Sequence, residues 1–475
     1  MPDYDLVVIG SGPAGRRAAV QAAKLKKSVL VIERGRRVGG VCVHTGTIPS
    51  KTLREAVLSL TGWRDRAFAG RAPRRAIAVD DLKRRLALTL DHEVDILEHQ
   101  FHRNGVEWTR GSARFVDPNT VEIDAGDARR RVSAARFVIA VGTIPFRPSH
   151  IPFDGRTIVD ADEILDLARA PRSLCVVGAS VIGIEYATIF SALDVKTTVV
   201  EPNEGMLPFL DRELVEEFAH DLRDRGVTLR FRSKCVAIEP RGEGAVARID
   251  DGREIAADIV LFAAGRSGAV DELGLDAAGL EADARGRLKV DPKTFQTAVP
   301  HIYAAGDVVG FPSLASVSMD QGRIAACNAF GAHCHAPPEF FPYGIYAVPE
   351  LSTVGMTEEE AREKKIPFET GVARFRETAR GQIMGLSSGF MKLVFSLETR
   401  RLLGVHIVGE GATELVHIGQ AVLNLGGGLD YFLENTFNYP TLAEAYKIAA
   451  LDAHNRFPKK QPSVAAFDRL AAAAS

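Results

Sequence analysis

Cysteine is scarce in this chain: five residues in 475, an odd number without framework spacing. That argues against an oxidised, disulfide-stapled secreted scaffold. The stretch Cys327, His333, Cys334, His335 has no CxxC pair and no second ligand cluster, so no metal site is expected. Long apolar runs are also missing. None approaches the roughly 20 residues that a membrane helix needs. The first apolar run, Leu6 to Ile9, follows Asp3 and Asp5 and is too short for a signal-peptide core. The expectation is a cytoplasmic protein with no membrane insertion. An excess of one charge is lacking as well. Lys plus Arg number 59 against 61 Asp plus Glu, a formal net charge of -2, which leaves no overall field for nucleic acid or an anionic membrane. The clusters Arg84, Arg85 and Arg129, Arg130, Arg131 are expected to be solvated faces. What remains is an ordinary globular composition, 46% hydrophobic and 25% charged, with length for about three domains.

What the sequence does have is repetition. Residues 3–33, DYDLVVIGSGPAGRRAAVQAAKLKKSVLVIE, predict a strand, a glycine turn, an alanine-rich helix and a second strand ending in an acid. Residues 172–201, RSLCVVGASVIGIEYATIFSALDVKTTVVE, repeat the plan. In both copies the acid follows the first glycine by 23 residues, Gly10 to Glu33 and Gly178 to Glu201. Two matched units are far more specific than one. Gly10 permits a tight turn, Gly12 lets backbone approach a pyrophosphate, and Gly15 lets helix and strand pack closely. The pyrophosphate then sits on a helix N-terminus, where free amides and the helix dipole favour an anion, and Glu33 accepts hydrogen bonds from a ribose. In the second copy Gly178, Gly183 and Glu201 take these places, with Ser180 where the middle glycine would be.

Two further segments, RFVIAVGTIPFRP at 136–148 with Gly142 and HIYAAGDVVG at 301–310 with its strand ending at Asp307, join the first unit. Together they resemble the FAD-binding elements of the two-dinucleotide-binding flavoproteins. That resemblance implies an α/β fold with two Rossmann-like domains. The FAD-binding domain would be discontinuous, about 1–149 and 269–340, with Asp307 on the ribityl chain. An NAD(P)-binding domain, about 150–268, would be inserted and would end in IVLFAAGRSG with Gly265. From about Tyr343 alternating strands, turning at Glu398 and Thr399, precede helices around Thr413 to Asn424 and Leu442 to Asn455. This resembles the family's α+β C-terminal dimerisation domain, about 341–475, and implies a homodimer. The final AAFDRLAAAAS is expected to be a frayed tail.

GGVCVHTGTIPSKTLREAV, residues 39–57, resembles the redox helix of disulfide reductases such as lipoamide dehydrogenase, in which two cysteines are separated by four residues. Gly40 and Cys42 are present; Thr47 stands where the second, flavin-contacting cysteine would be. A hydroxyl has no accessible redox couple and forms no disulfide. FNYPTLAEAY, residues 437–446, matches the family's HPTxxE segment with Tyr439 for histidine and Glu444 retained. The family's histidine is an acid-base group contributed by the partner subunit, and a phenol is a poor base at neutral pH. Two of three thiol-handling groups are therefore replaced. Lys51 and Glu185 match a pair beside the flavin in the family, where a lysine can stabilise negative charge that arises as hydride is accepted.

Cys42 with Thr47, the NYPTLAEAY segment, GRIAACNAF and IGQAVLNL resemble the soluble, flavin-containing pyridine nucleotide transhydrogenases, essentially from Tyr4 to Asn455. The resemblance implies hydride transfer between NADPH and NAD through FAD with no protein dithiol. An NAD(P)H dehydrogenase or diaphorase serving a quinone is the alternative; a lipoamide dehydrogenase-like reductase fits less well. Glu201 is followed by Pro202, Asn203 and Glu204 with no cation nearby in sequence. A preference for NADH over NADPH is therefore expected, unless a distant arginine such as Arg266 receives the 2′-phosphate.

Overall fold

A computed structural model describes residues 1–63, 79–167, 169–335, 337 and 339–458. The AAFDRLAAAAS segment lies outside them. The described chain forms two compact units. One comprises Met1–Leu207, Ala219–Glu339 and Tyr346–Val348; the other Pro208–Phe218, Phe340–Ile345 and the described part of Pro349–Ser475.

The first unit opens with β1 (Tyr4–Ile9), α1 (Pro13–Lys24) and β2 (Val29–Glu33). Next come α2 (Gly40–His44), α3 (Thr47–Leu60), α4 (Val79–Arg103) and β3 (Glu107–Arg110). An antiparallel meander of β4 (Ser112–Asp117), β5 (Thr120–Asp124) and β6 (Arg129–Ile139) follows. β6 serves two sheets. Its first half pairs antiparallel with β5, and its second half lies parallel to β1. Leu6 to Ile9 are all buried, as strands of a parallel sheet covered on both faces must be.

After β7 (Thr143–Pro145) and β8 (Ile158–Asp160) the same architecture returns with β9 (Ser173–Val177), α5 (Val181–Ala192), β10 (Lys196–Val200), α6 (Arg212–Asp224) and β11 (Thr228–Arg230). A second antiparallel meander, β12 (Cys235–Arg241), β13 (Gly244–Ile249) and β14 (Glu254–Ala257), precedes β15 (Ile259–Phe262) and β16 (Arg266–Gly268). β17 (Ile302–Ala304) then pairs parallel with β6, and α7 (Ala315–Ala329) closes the unit. The parallel orders β3-β2-β1-β6-β17 and β11-β10-β9-β15-β8 match in their first four strands; the fifth, β17 or β8, comes from after the first repeat in one sheet and from before the second in the other. The repeat seen in two stretches of sequence thus extends over four strands of each sheet, each with its own meander.

The second unit carries β18 (Tyr343–Ile345), β19 (Leu351–Gly355), β20 (Phe368–Arg374), β21 (Phe390–Ser396) and β22 (Leu402–Val408) in the antiparallel order β18-β19-β22-β21-β20. Its helices include Ala412–Asn424 and Ala445–Arg456. A buried Lys392 lies 3.1 Å from Asp211 and 2.5 Å from Glu358. Burial alone would lower the pKa of this amine, but the surrounding carboxylates hold it at about 12.

Both glycine turns are sterically fixed. A Cβ on Gly15 would lie 1.9 Å from the Gly10 carbonyl oxygen, and one on Gly183 2.0 Å from that of Gly178. Gly10 and Gly178 adopt φ of +101° and +106°, and a Cβ there would press on the backbone of Ala140 or Ala263. Gly15→Ala and Gly183→Ala are each expected to destabilise the fold by about 1–3 kcal/mol, the range for forced overpacking. A denaturant midpoint unchanged by either substitution would contradict this packing.

Candidate active site

The first glycine turn forms a cradle. Nothing lies within 4 Å of where a Cβ on Gly12 would project, whereas a Cβ on Gly40 would meet Gly12 Cα at 2.9 Å. The open side of Gly12 suits close approach of a phosphate; Gly40 packs against its backbone. Glu33, buried at the end of β2, accepts hydrogen bonds from Ser11 N–H at 3.0 Å, the Ser11 hydroxyl at 2.5 Å and Gly35 N–H at 2.7 Å. A carboxylate has about four acceptor positions, so one remains for a ribose hydroxyl. Glu201 repeats this in the second βαβ repeat, accepting from Ala179 N–H at 2.7 Å, Asn203 N–H at 3.1 Å and the Asn203 side-chain amide at 2.6 Å. Ser180 replaces the middle glycine without closing the turn, because its hydroxyl points at Ala263 O, 3.3 Å away.

Gly142 and Gly265 take φ of +65° and +120°, with nothing within 4 Å of a Cβ at either position. The strand expected to end at Asp307 stops at Ala304, because Gly306 turns at φ +88°, and Asp307 opens a 3-10 turn to Val309. Burial pushes the Asp307 carboxyl up, while Arg266 and the Ser318 hydroxyl pull it down. An open cleft of about 670 Å³ near the end of β2 is lined by Arg34, Arg110, Ala113, Asp271 and Glu272. Gly111 N–H, also in its lining, donates to Glu33 O at 2.9 Å. Sequence reasoning did not find these residues, which come from the ends of β2 and β3, from β4 and from the segment after β16.

The expected redox helix is two helices, α2 and α3, broken at Thr45 and Gly46. Cys42 lies in α2 and Thr47 opens α3. Burial pushes the Cys42 thiol up, while the Thr47 hydroxyl and the Arg16 cation pull the other way. The net direction keeps it a protonated thiol at neutral pH. All five cysteines are free, and among the described residues no group of three or more His, Cys, Asp or Glu is placed to hold a metal.

Lys51 and Glu185 meet. Lys51 Nζ donates to Glu185 Oε2 at 2.6 Å and lies 5.0 Å from the centre of the Tyr346 ring. Glu185 Oε1 accepts from Tyr346 N–H at 2.9 Å, Thr188 Oγ1 accepts from Val348 N–H at 3.0 Å, and Arg54 Nε donates to Ala347 O at 3.0 Å. The three-residue strap Tyr346–Val348 is thereby tied to α3 and α5, a feature without a sequence signal. Tyr439 and Glu444 belong to the second unit. Tyr439 is 71% exposed, and Glu444 Oε2 is buried with no hydrogen-bond partner among the described residues.

Two units of βαβ topology, a glycine cradle in each, and a lysine–glutamate pair linking them define a dinucleotide-dependent oxidoreductase fold. Residues 4–322 match the model of the pyridine nucleotide-disulphide oxidoreductases, and residues 341–450 match that family's dimerisation domain. The chain belongs to the pyridine nucleotide-disulphide oxidoreductase family, within the group whose members are named soluble pyridine nucleotide transhydrogenases. It is 51% identical to the protein of that name from Mycobacterium tuberculosis over 460 residues, covering 96% of this chain and 98% of the relative. It is 42% identical to the Escherichia coli protein of that name over 466 residues, covering 96% and 98%. Among solved structures it resembles LpdA from Mycobacterium tuberculosis, with a TM-score of 0.87, 26% identity and coverage of 94% and 99%. It also resembles the HOCl-induced flavoprotein disulfide reductase RclA from Escherichia coli, with a TM-score of 0.85, 25% identity and coverage of 94% and 99%. Family and relatives imply flavin and nicotinamide nucleotides. Among the described residues no helix is long and apolar enough to cross a membrane.

Lys51→Met would leave the buried Glu185 carboxylate with only the Tyr346 amide. The expected cost is about 2 kcal/mol, less than for a fully buried pair because the Lys51 side chain is 26% exposed. Lys51→Met with Glu185→Gln should recover part of it. Additive losses in a double-mutant cycle would show that the pair is not coupled.

Proposed function

We propose that this enzyme passes hydride between NADPH and NAD through bound FAD, without a protein dithiol. The carrying observation is that Thr47 stands where the second thiol would be, while the Lys51–Glu185 pair is intact. The Gly10, Gly12, Gly15 and Gly40 cradle with Glu33 would hold the FAD pyrophosphate and adenosine, and Gly142 and Asp307 would serve the rest of the cofactor. The Gly178 turn, Gly183, Glu201 and Gly265 would hold the nicotinamide nucleotide. FAD, when bound, supplies a ring that takes hydride from one nicotinamide and returns it to another. Lys51 sets a positive charge where negative charge would develop, and Glu185 fixes the lysine's position through its second bond to the Tyr346 amide. Cys42 remains a thiol with no partner sulfur. Tyr439 and Glu444 no longer make an acid-base pair for thiols, since the phenol is exposed and the carboxylate oxygen unpaired among the described residues.

The same reading assigns 1–149 and 269–340 to the FAD-binding domain, 150–268 to the NAD(P)-binding domain and 341–475 to dimerisation, in a cytoplasmic homodimer. The match to the family's dimerisation domain supports the last assignment.

NADPH should reduce a thio-analogue of NAD with parallel-line kinetics and no added thiol. Rates with lipoamide or glutathione disulfide should be at least a hundredfold lower; comparable disulfide turnover would contradict the proposal, and a dominant quinone rate would favour a diaphorase. Gly12→Asp, which puts a carboxylate where the phosphates would lie, should purify without flavin. Stoichiometric flavin in that variant would overturn the assignment of the first cradle.

A further inference from the structure

The 2′-phosphate of NADP distinguishes the two nucleotides this reading requires, and sequence order places no cation beside Glu201. The fold does. Glu201 N–H donates to Arg230 O at 2.9 Å, Ser233 N–H to Glu201 O at 3.0 Å, and Arg232 N–H to Asn203 O at 2.8 Å. The connection between β11 and β12 is thereby laced onto residues 201–203, at the end of the strand where an acid reads the ribose. Arg232 takes φ +53° at the crossing. Its guanidinium reaches Glu204 Oε1 at 2.7 Å, with both side chains largely exposed, at 72% and 82%. On the same connection Arg230 Nε is buried without a hydrogen-bond partner among the described residues. Arg266, the other candidate, is committed elsewhere: to the Thr143 hydroxyl at 2.9 Å, Thr143 O at 2.9 Å and Asp162 at 3.0 Å.

We propose that Arg232 receives the 2′-phosphate of NADP(H), and that Glu204, which holds Arg232 when the phosphate is absent, competes with it. The proposal rests on the hydride-exchange reading above. Glu201 does not stand against it. With three acceptor positions taken by Ala179 and Asn203, it offers one bond to a ribose, which the 3′-hydroxyl alone can supply. The carboxylate thus tolerates both nucleotides, and the discriminating charge comes from the neighbouring connection. An exposed Arg–Glu pair is weak, so a dianionic phosphate can displace the carboxylate. Glu204 limits the gain, which keeps NADP from outcompeting NAD at a site that must release each in turn.

The test is calorimetric titration of the oxidised holoenzyme with NADP+ and with NAD+. Arg232→Gln should weaken NADP+ about tenfold, the size of one charge-assisted contact, and change NAD+ less than twofold. Glu204→Gln should tighten NADP+ severalfold. Both differences should shrink as salt is raised from 0.01 to 0.15 M, as for any exposed charge contact. Unchanged NAD+ affinity and flavin content exclude misfolding as the cause. Wild-type enzyme that binds NADP+ with Arg232→Gln binding it equally well overturns the Arg232 assignment alone. Wild-type enzyme that binds NAD+ but not NADP+ overturns the hydride-exchange reading on which the assignment rests.

Discussion

The contact on which the site depends is the 2.6 Å ion pair between Lys51 of α3 and Glu185 of α5. Each nucleotide-binding repeat has its own sheet and its own cradle, and this pair, with the strap it anchors and the apolar packing of Ala56 and Val57 against Ile189 and Ala192, ties a helix of one to a helix of the other. Glu185 is nearly buried, and both the Lys51 ammonium and the Tyr346 amide donate to its carboxylate. Lys51 in turn is positioned by an acid it cannot lose without stranding that acid. A positive charge fixed in this way needs no reorganisation when negative charge develops beside it, which is the physical advantage of a preorganised site.

The same geometry explains how the chain can keep the architecture of a disulfide reductase and abandon its chemistry. In the proposed function, cradles, ribose acids and the lysine pair all serve nucleotide binding and hydride movement. By resemblance to the disulfide reductases, a thiol relay would need a second sulfur at position 47 beside Cys42 and a base near position 439. Thr47 and Tyr439 remove both without disturbing the cradles. Cys42 in α2 and Thr47 at the start of α3 stand on either side of the break at Thr45 and Gly46. LpdA and RclA share the fold at about a quarter sequence identity, which shows how little of it depends on that relay.

Much of this was legible in the text of the chain because the determinants are local. A buried strand, a glycine where a Cβ would strike a carbonyl, and an acid 23 residues on are consequences of neighbouring residues, and they predicted both βαβ units. Thr47 and Tyr439 were readable through the resemblance to the disulfide-reductase motifs, which marks where a cysteine and a histidine would stand. What was not legible arises from chain returning from afar. The Tyr346–Val348 strap reaches Glu185 across 161 residues. Arg232 reaches residues 203 and 204 through a loop with no motif, and the commitment of Arg266 to Thr143 crosses 123 residues. The strand expected to end at Asp307 stops three residues earlier, at Ala304, because a positive φ at Gly306 outweighs apolar continuity.

The central claim is that electrons in this protein reside on flavin alone. Anaerobic titration of the purified enzyme with NADH, followed by absorbance, tests it most directly. The account predicts complete reduction at about two electrons per flavin, with no thiol-to-flavin charge-transfer band, and the same end point for Cys42→Ser. Uptake of about four electrons per flavin, or a charge-transfer band lost in Cys42→Ser, would show a working dithiol and contradict it.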